Sequence, residues 1–519
     1  MSAYKEPFNQ TAGRGKAAYL ALDGIFHGDP PLREGWQTHK DRYEELQAQK
    51  WLLGEDDDPA PVIEAMQYHL RRQAEILHDP AHNVAALLQR AQAEMPQLDE
   101  WERGNLARMQ HIYTHQSGFI EPGLIERYEQ TLADAEQEWI SNYNEDTPEE
   151  GFAAQIEPFT RAIAVIREAV AEPARRMGVK PSEAAQDLLN PGVSNDDVDK
   201  ILAKIKPGYP DLVANITAQS NETEAPLTLP EIPTEVQLRI FDRLKNEMLL
   251  AAGWDEEKLA QSGVNIAPLQ TSATGFSWGS NKNITISIES YEDNLVKGLG
   301  NTWHETGHLL YLLHMSTLPE QAQDRPVGQF NGFGAHETAA MFMEQAGFRN
   351  TAMTLSTPII HEELSRAQAE GLLPADFDVN DPALTAENLY RLTNRPDLQN
   401  TDWCTSELVL PPNMAWRVLA MRKLIDEETI IDPQTGAQRP FAVTDLPQFW
   451  ADTMNDWTGI DHDTQQFQIG ESHVFEGLGG YFWAYMTGAM SAATLHSQIA
   501  PQATAQDAKV KSLQDYVRL

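Results

Sequence analysis

The sequence holds a single cysteine, Cys404, among 519 residues. No intramolecular disulfide can form. Basic residues are scarce: 39 Lys and Arg stand against 77 Asp and Glu, a formal charge of −38. So acidic a chain repels phosphate, which excludes a general nucleic-acid binder and suits neutral or basic small substrates. Long apolar runs are also missing. The longest are broken by His, Glu or Gln, so no segment is expected to span a membrane. The opening stretch MSAYKEPFNQTAGRGK has no apolar signal region, and the expected location is the cytoplasm.

Hydrophobic residues make up 41 % of the chain, too many for a disordered polymer. Apolar positions recur at helical spacing through the N-terminal third. Ile63, Met66, Leu70 and Ile76 form one such stripe, Val84, Leu87, Leu88 and Ala91 the next, with a break at His78-Asp79-Pro80. Helices are also expected over 98–115, 124–143, 152–175, 233–252, 294–315, 334–345, 413–428, 446–457, 471–496 and 507–516. Residues 218–232, rich in Asn, Glu, Thr and Pro, read as a loop. Ile284-Thr285-Ile286-Ser287-Ile288 alternates as a strand does. The organisation expected is one large domain over 1–519. Residues 1–217 would form a helical wall or lid, and 233–519 the catalytic part.

The most informative motif is the HExxH pattern His304-Glu305-Thr306-Gly307-His308, in an apolar helical stretch. At roughly 100° per residue, two histidines four apart lie on neighbouring turns of one face, where both imidazoles can meet one Zn²⁺. Glu305 stands beside that face as a general base, able to take a proton from water that zinc has acidified. Zinc needs a third protein ligand. His314 follows ten residues after His304, but Tyr311 stands where a glycine would be needed to turn the chain back. His314 is therefore assigned a structural role. A carboxylate from the segment Gly332 to Glu344 is the other solution, and either Glu337 or Glu344 could supply it.

These residues resemble the M32 family of zinc metallocarboxypeptidases. His304-Glu305-Thr306-Gly307-His308 is similar to the family's zinc helix. Arg325-Pro326-Val327-Gly328 and Gly334-Ala335-His336-Glu337-Thr338 resemble its Pro-Val-Gly and His-Glu-Ser-Gln segments. The resemblance implies Glu337 as the third ligand. Gly470-Glu471-Ser472-His473 and Gly479-Gly480-Tyr481-Phe482-Trp483-Ala484-Tyr485 resemble the family's Gln-Asp-x-His-Trp and Gly-Tyr-Phe-x-x-Tyr segments. That implies His473 at the substrate, with Tyr485 or Tyr481 at the developing oxyanion. Pro411-Pro412-Asn413-Met414-Ala415-Trp416-Arg417 resembles a segment whose arginine holds the substrate carboxylate, which implies Arg417 as the clamp.

The fold implied is mainly α and neurolysin-like: a large helical body with a deep groove and a short β-sheet along one wall. The activity implied is removal of C-terminal residues from peptides, with Zn²⁺ (or Co²⁺) as cofactor, in a homodimer. The chain also departs from the family. Thr274-Gly275-Phe276 replaces His-Pro-Phe, and Asn281-Lys282-Asn283-Ile284-Thr285 replaces Asp-x-Arg-x-Thr. Ala339 and Ala340 replace the glutamine and arginine after His-Glu-Ser. The lost arginine leaves open an endo-acting zinc oligopeptidase on the same scaffold. A zinc-bound peptide-binding protein without turnover is a further alternative, which Glu305 opposes.

Overall fold

The computed structural model describes residues 15–506, apart from 30–32, 54–56, 122, 143–146, 222–224, 273–274, 281, 290–293, 320–321, 323–324, 329–331, 395–407, 433–434, 468, 470–471, 476 and 478. Cys404, Thr274, Asn281, Gly470, Glu471 and the helix expected over 507–516 lie outside the described residues. Helices dominate, as expected. Among the described residues no helix is long and apolar enough to cross a membrane.

The N-terminal helices follow their apolar stripes. Ala60–His78 stops where Asp79 and Pro80 interrupt it, and Val84–Glu94 restarts after Asn83, whose φ is 48°. Glu100–His115 opens with a capping box between Asp99 and Glu102. The helix Trp36–Trp51, here the wall helix, packs beside the sheet.

That sheet is small. Asn283–Ile288 pairs antiparallel with Phe276–Gly279, in the register Phe276↔Ser287 to Gly279↔Ile284. Its other edge takes two short parallel strands, Asn265–Ile266 and Gln270–Thr271. Phe276–Gly279 is thus an edge strand. Ser277 Oγ ties it to the helix behind by donating to the Glu305 carbonyl at 2.9 Å.

Three helices carry the sequence motifs. The histidine helix is Leu295–Met315, the glutamate helix Phe333–Gly347 and the tyrosine helix Phe482–Gln506. The last corrects the expected start at Glu471. Ser472–Val474 forms only a 3-10 turn, and residues 479–481 form another turn. At Gly480 a Cβ would lie 2.4 Å from the Ala185 carbonyl oxygen, so the chain must pass there without a side chain.

The expected loop is also shorter than 218–232. Helix Tyr209–Asn221 takes its first residues. Further on, Leu227 pairs through its N–H and C=O with Asn388, and Ile232 is fully buried. The segment is packed against the body and carries little linker character.

Candidate active site

Two close helix crossings position the site. A Cβ at Gly307 would sit 2.6 Å from the Ala339 carbonyl oxygen and from Ala340 Cα. The histidine and glutamate helices therefore touch backbone to backbone, and the small Ala339 and Ala340 permit it. Gly488 does the same for the tyrosine helix, where a Cβ would come 2.5 Å from Glu337 Cβ. These contacts place Glu337, which is fully buried, against His304 and His308.

Glu337 Oε2 lies 3.6 Å from His304 Nε2, and its Oε1 lies 3.5 Å from His308 Nε2. Ligand atoms of a tetrahedral zinc with bonds of ~2.0–2.1 Å stand about 3.3–3.4 Å apart. Both separations come close to that spacing, with each histidine facing a different oxygen of Glu337; ligand atoms of His304, Glu305 and His308, and of His308, His336 and Glu337, also gather within 4.8 Å of one another. Glu305 Oε2 and Glu337 Oε2 are buried with no hydrogen-bond partner among the described residues, an arrangement a cation would relieve.

The electrostatics point the same way. Burial pushes the Glu305 carboxyl up to about 8, with the His304 charge pulling the other way. Burial likewise raises Glu337. Burial alone would depress His304, but Glu344, Glu337 and Glu305 hold it up to about 9. Burial and the neighbouring His336 and His304 drive His308 well below its ordinary value. Three carboxyls and two imidazoles so placed form a costly cluster, which a dication would offset.

Glu344 is not a ligand in this arrangement. His304 Nδ1–H donates to its Oε2 at 2.8 Å, which fixes the ring and turns Nε2 toward Glu337. This role was not read from the sequence, although Glu344 lies seven residues after Glu337 on the same helix face. His336 was also missed. It stacks on His308 with ring centroids 4.0 Å apart, with the edges of Tyr311 and Trp278 beyond it. Burial holds it down to about 3, so it is a neutral ring.

The structure separates the two tyrosines. Tyr481 stands in the turn before its helix, and its hydroxyl donates to Glu337 Oε1. The Tyr485 hydroxyl lies 3.0 Å from His473 Nε2. His473 also stacks on Tyr481, with centroids 4.6 Å apart. All three line one cavity with His304, Glu305 and His308.

Arg417 is not brought to that cavity. Its Nη1 donates to the Asn413 carbonyl at 3.4 Å, and its guanidinium lies over the Trp416 ring. It faces a separate, mainly apolar cavity with Phe159 and Ile469, and the two cavities share no lining residue. Asn283, which stands where the family has arginine, gives its side-chain amide to Glu45 at 2.7 Å. His314 is exposed and bonds the Leu310 carbonyl at 2.7 Å, away from the other two histidines.

The remaining lining comes from afar in sequence. Gln47 and Trp51 reach in from the wall helix, and Phe276 and Trp278 from the edge strand. Only the three-dimensional fold brings these to the histidine helix. No local pattern in the sequence marks Gln47 or Trp51.

The chain is similar to several known proteins. The family profile described as Carboxypeptidase Taq (M32) metallopeptidase matches residues 59–376. The match includes His304, Glu305, His308 and Glu337 and ends before Arg417, His473, Tyr481 and Tyr485. Carboxypeptidase 1 of Bacillus subtilis (strain 168) is 23 % identical over 320 residues, which cover 62 % of this chain and 56 % of that protein. The fold is similar to Trypanosoma cruzi metallocarboxypeptidase 1, with a TM-score of 0.73 at 21 % identity, covering 97 % of this chain and 90 % of the other. It is also similar to a Pyrococcus furiosus carboxypeptidase, with a TM-score of 0.68 at 19 % identity, covering 99 % and 90 %.

Proposed function

The chain belongs to the M32 family of metallopeptidases, and from that membership we propose that it is a metallocarboxypeptidase, removing C-terminal residues from peptides with a free carboxylate. The observation that carries the proposal is the approach of His304 Nε2 and His308 Nε2 to the two oxygens of Glu337, with Glu305 at the cavity that both histidines line.

We assign the metal to His304, His308 and Glu337. Two imidazoles and one carboxylate suit Zn²⁺, and Co²⁺ would also fit. When bound, such a cation supplies Lewis acidity that polarises the scissile carbonyl and makes water a better nucleophile. The chain's own residues do the rest. Glu305 takes the proton of the attacking water and passes it to the leaving amine. With His473 Nε2–H donating to the Tyr485 oxygen, the Tyr485 hydroxyl is oriented to donate its own proton to the oxygen that gains charge in the transition state. Tyr481 holds Glu337 by its hydroxyl, and Glu344 holds His304. The aromatic surroundings exclude bulk water and strengthen each of these interactions. Homodimerisation rests on the family resemblance.

For the substrate carboxylate we propose Arg417, also on the resemblance. Its place at a separate cavity favours a second reading, endo-acting cleavage that needs no carboxylate clamp. Incubation of the metal-loaded protein and its Glu305→Gln variant with one free-carboxylate peptide tests the main reading. Wild type should release C-terminal residues. The variant should retain the metal and lose about 10²–10⁴-fold in turnover. Wild-type-like turnover in Glu305→Gln would remove the base assignment.

A further inference from the structure

The catalytic side of the cavity faces a wall that the reaction itself does not use. Trp51 meets Phe276 edge-on at 5.1 Å between ring centroids and lies 6.3 Å from Trp278. Trp278 stacks on Phe333 at 5.4 Å and 11°. Phe333 in turn meets Tyr481 edge-on at 4.5 Å, so the aromatic surface runs unbroken to the catalytic tyrosines. The four residues come from three separate elements: the wall helix, the edge strand and the start of the glutamate helix.

One polar group interrupts the wall. Gln47 lies one turn before Trp51 on the same face of the wall helix and is 9 % exposed. Its amide makes no hydrogen bond among the described residues. A side-chain amide at the wall of a cavity can both donate to and accept from a backbone amide that enters. The cavity that this wall shares with the catalytic residues measures about 100 Å³.

We propose that Trp51, Phe276, Trp278 and Phe333 form the subsite for a bulky apolar side chain on a residue flanking the scissile bond, with the Gln47 amide binding the peptide backbone there. The inference rests on the peptidase reading and adds a substrate class to it. The chemistry selects the occupant. Four ring faces reward apolar area and offer nothing to a charged group. An extended peptide laid along the edge strand Phe276–Gly279 would pass its side chains alternately toward and away from this wall. The N-terminal region then supplies part of the specificity site through Trp51 and Gln47.

The test is a panel of N-terminally blocked peptides with free C-termini on the zinc-loaded full chain, with Phe, Leu, Ala, Asp or Lys placed on either side of the scissile bond. kcat/KM for Phe or Leu at one of the two positions should exceed that for Ala by about tenfold or more. Trp51→Ala should collapse that ratio, and Trp51→Phe should keep most of it. Equal cleavage of Phe and Ala peptides by wild type, or a ratio unchanged in Trp51→Ala, would overturn the subsite. Should no peptide be cleaved, the peptidase reading fails separately. Calorimetry with the same peptides on Glu305→Gln then still decides the subsite: Phe peptides binding about tenfold tighter than Ala peptides support it, and equal binding overturns it.

Discussion

His304 and Glu344 are joined by a 2.8 Å hydrogen bond from Nδ1–H to Oε2, on the side of the ring away from Glu337. The bond fixes the tautomer whose Nε2 carries the lone pair on the side of Glu337, where a metal would be ligated. Glu344→Gln should therefore weaken metal affinity by about 10–100-fold without changing the stoichiometry at saturation. Chelator competition measures this directly. An unchanged affinity would mean that the bond does not orient the ligand.

The ligand set makes a sharp contrast between two residues. Glu337→Ala should lose stoichiometric zinc during gentle purification, because it removes one of the three proposed ligands. His314→Ala should keep full occupancy, since His314 is turned to the Leu310 carbonyl. Metal analysis of both variants settles the comparison. Metal loss in His314→Ala would restore it as a ligand.

The tyrosines should divide their effects. Tyr485→Phe breaks the pair with His473 and should lower kcat by about 10²–10³-fold with metal content intact. Tyr481→Phe removes the bond to Glu337 and should act on metal affinity as well as on rate. Steady-state kinetics alongside metal titration separate the two. Identical profiles for both variants would contradict the assignment.

A pH effect follows from the wall helix. Burial pushes the Asp41 carboxyl up from 3.8 to about 7, although Lys40 pulls it down and Gln37 donates to it at 2.6 Å. Between those values the folded chain holds a proton that the unfolded chain has released. Asp41 therefore lowers stability progressively as pH rises from about 4 to about 7, with no further change above. Asp41→Asn should gain Tm relative to wild type across that window. Parallel Tm curves would contradict the shift.

Much of the site was legible because HExxH is local. Helical spacing alone placed His304, Glu305 and His308 on one face, and the missing glycine at Tyr311 correctly turned His314 away. Glu337 needed the family resemblance, because two glutamates on one helix were equally available. Their division of labour depends on which ring nitrogen each one meets, and only the crossing at Gly307 decides that. The tyrosine helix was drawn too long because Phe475 and Val474 continue an apolar pattern. Gly479-Gly480 and the close approach to Ala185 override it. Gln47 and Trp51 reach the site from more than 200 residues away in sequence, and no periodicity encodes that contact.

Exo-acting hydrolysis is tested by one peptide in two forms. The zinc-loaded protein is incubated with a mixed-sequence peptide bearing a free C-terminus and with its amidated twin, and both are followed by mass spectrometry. A ladder of single C-terminal losses from the free peptide only is expected. Equal internal cleavage of both forms would contradict it and make the protein an oligopeptidase.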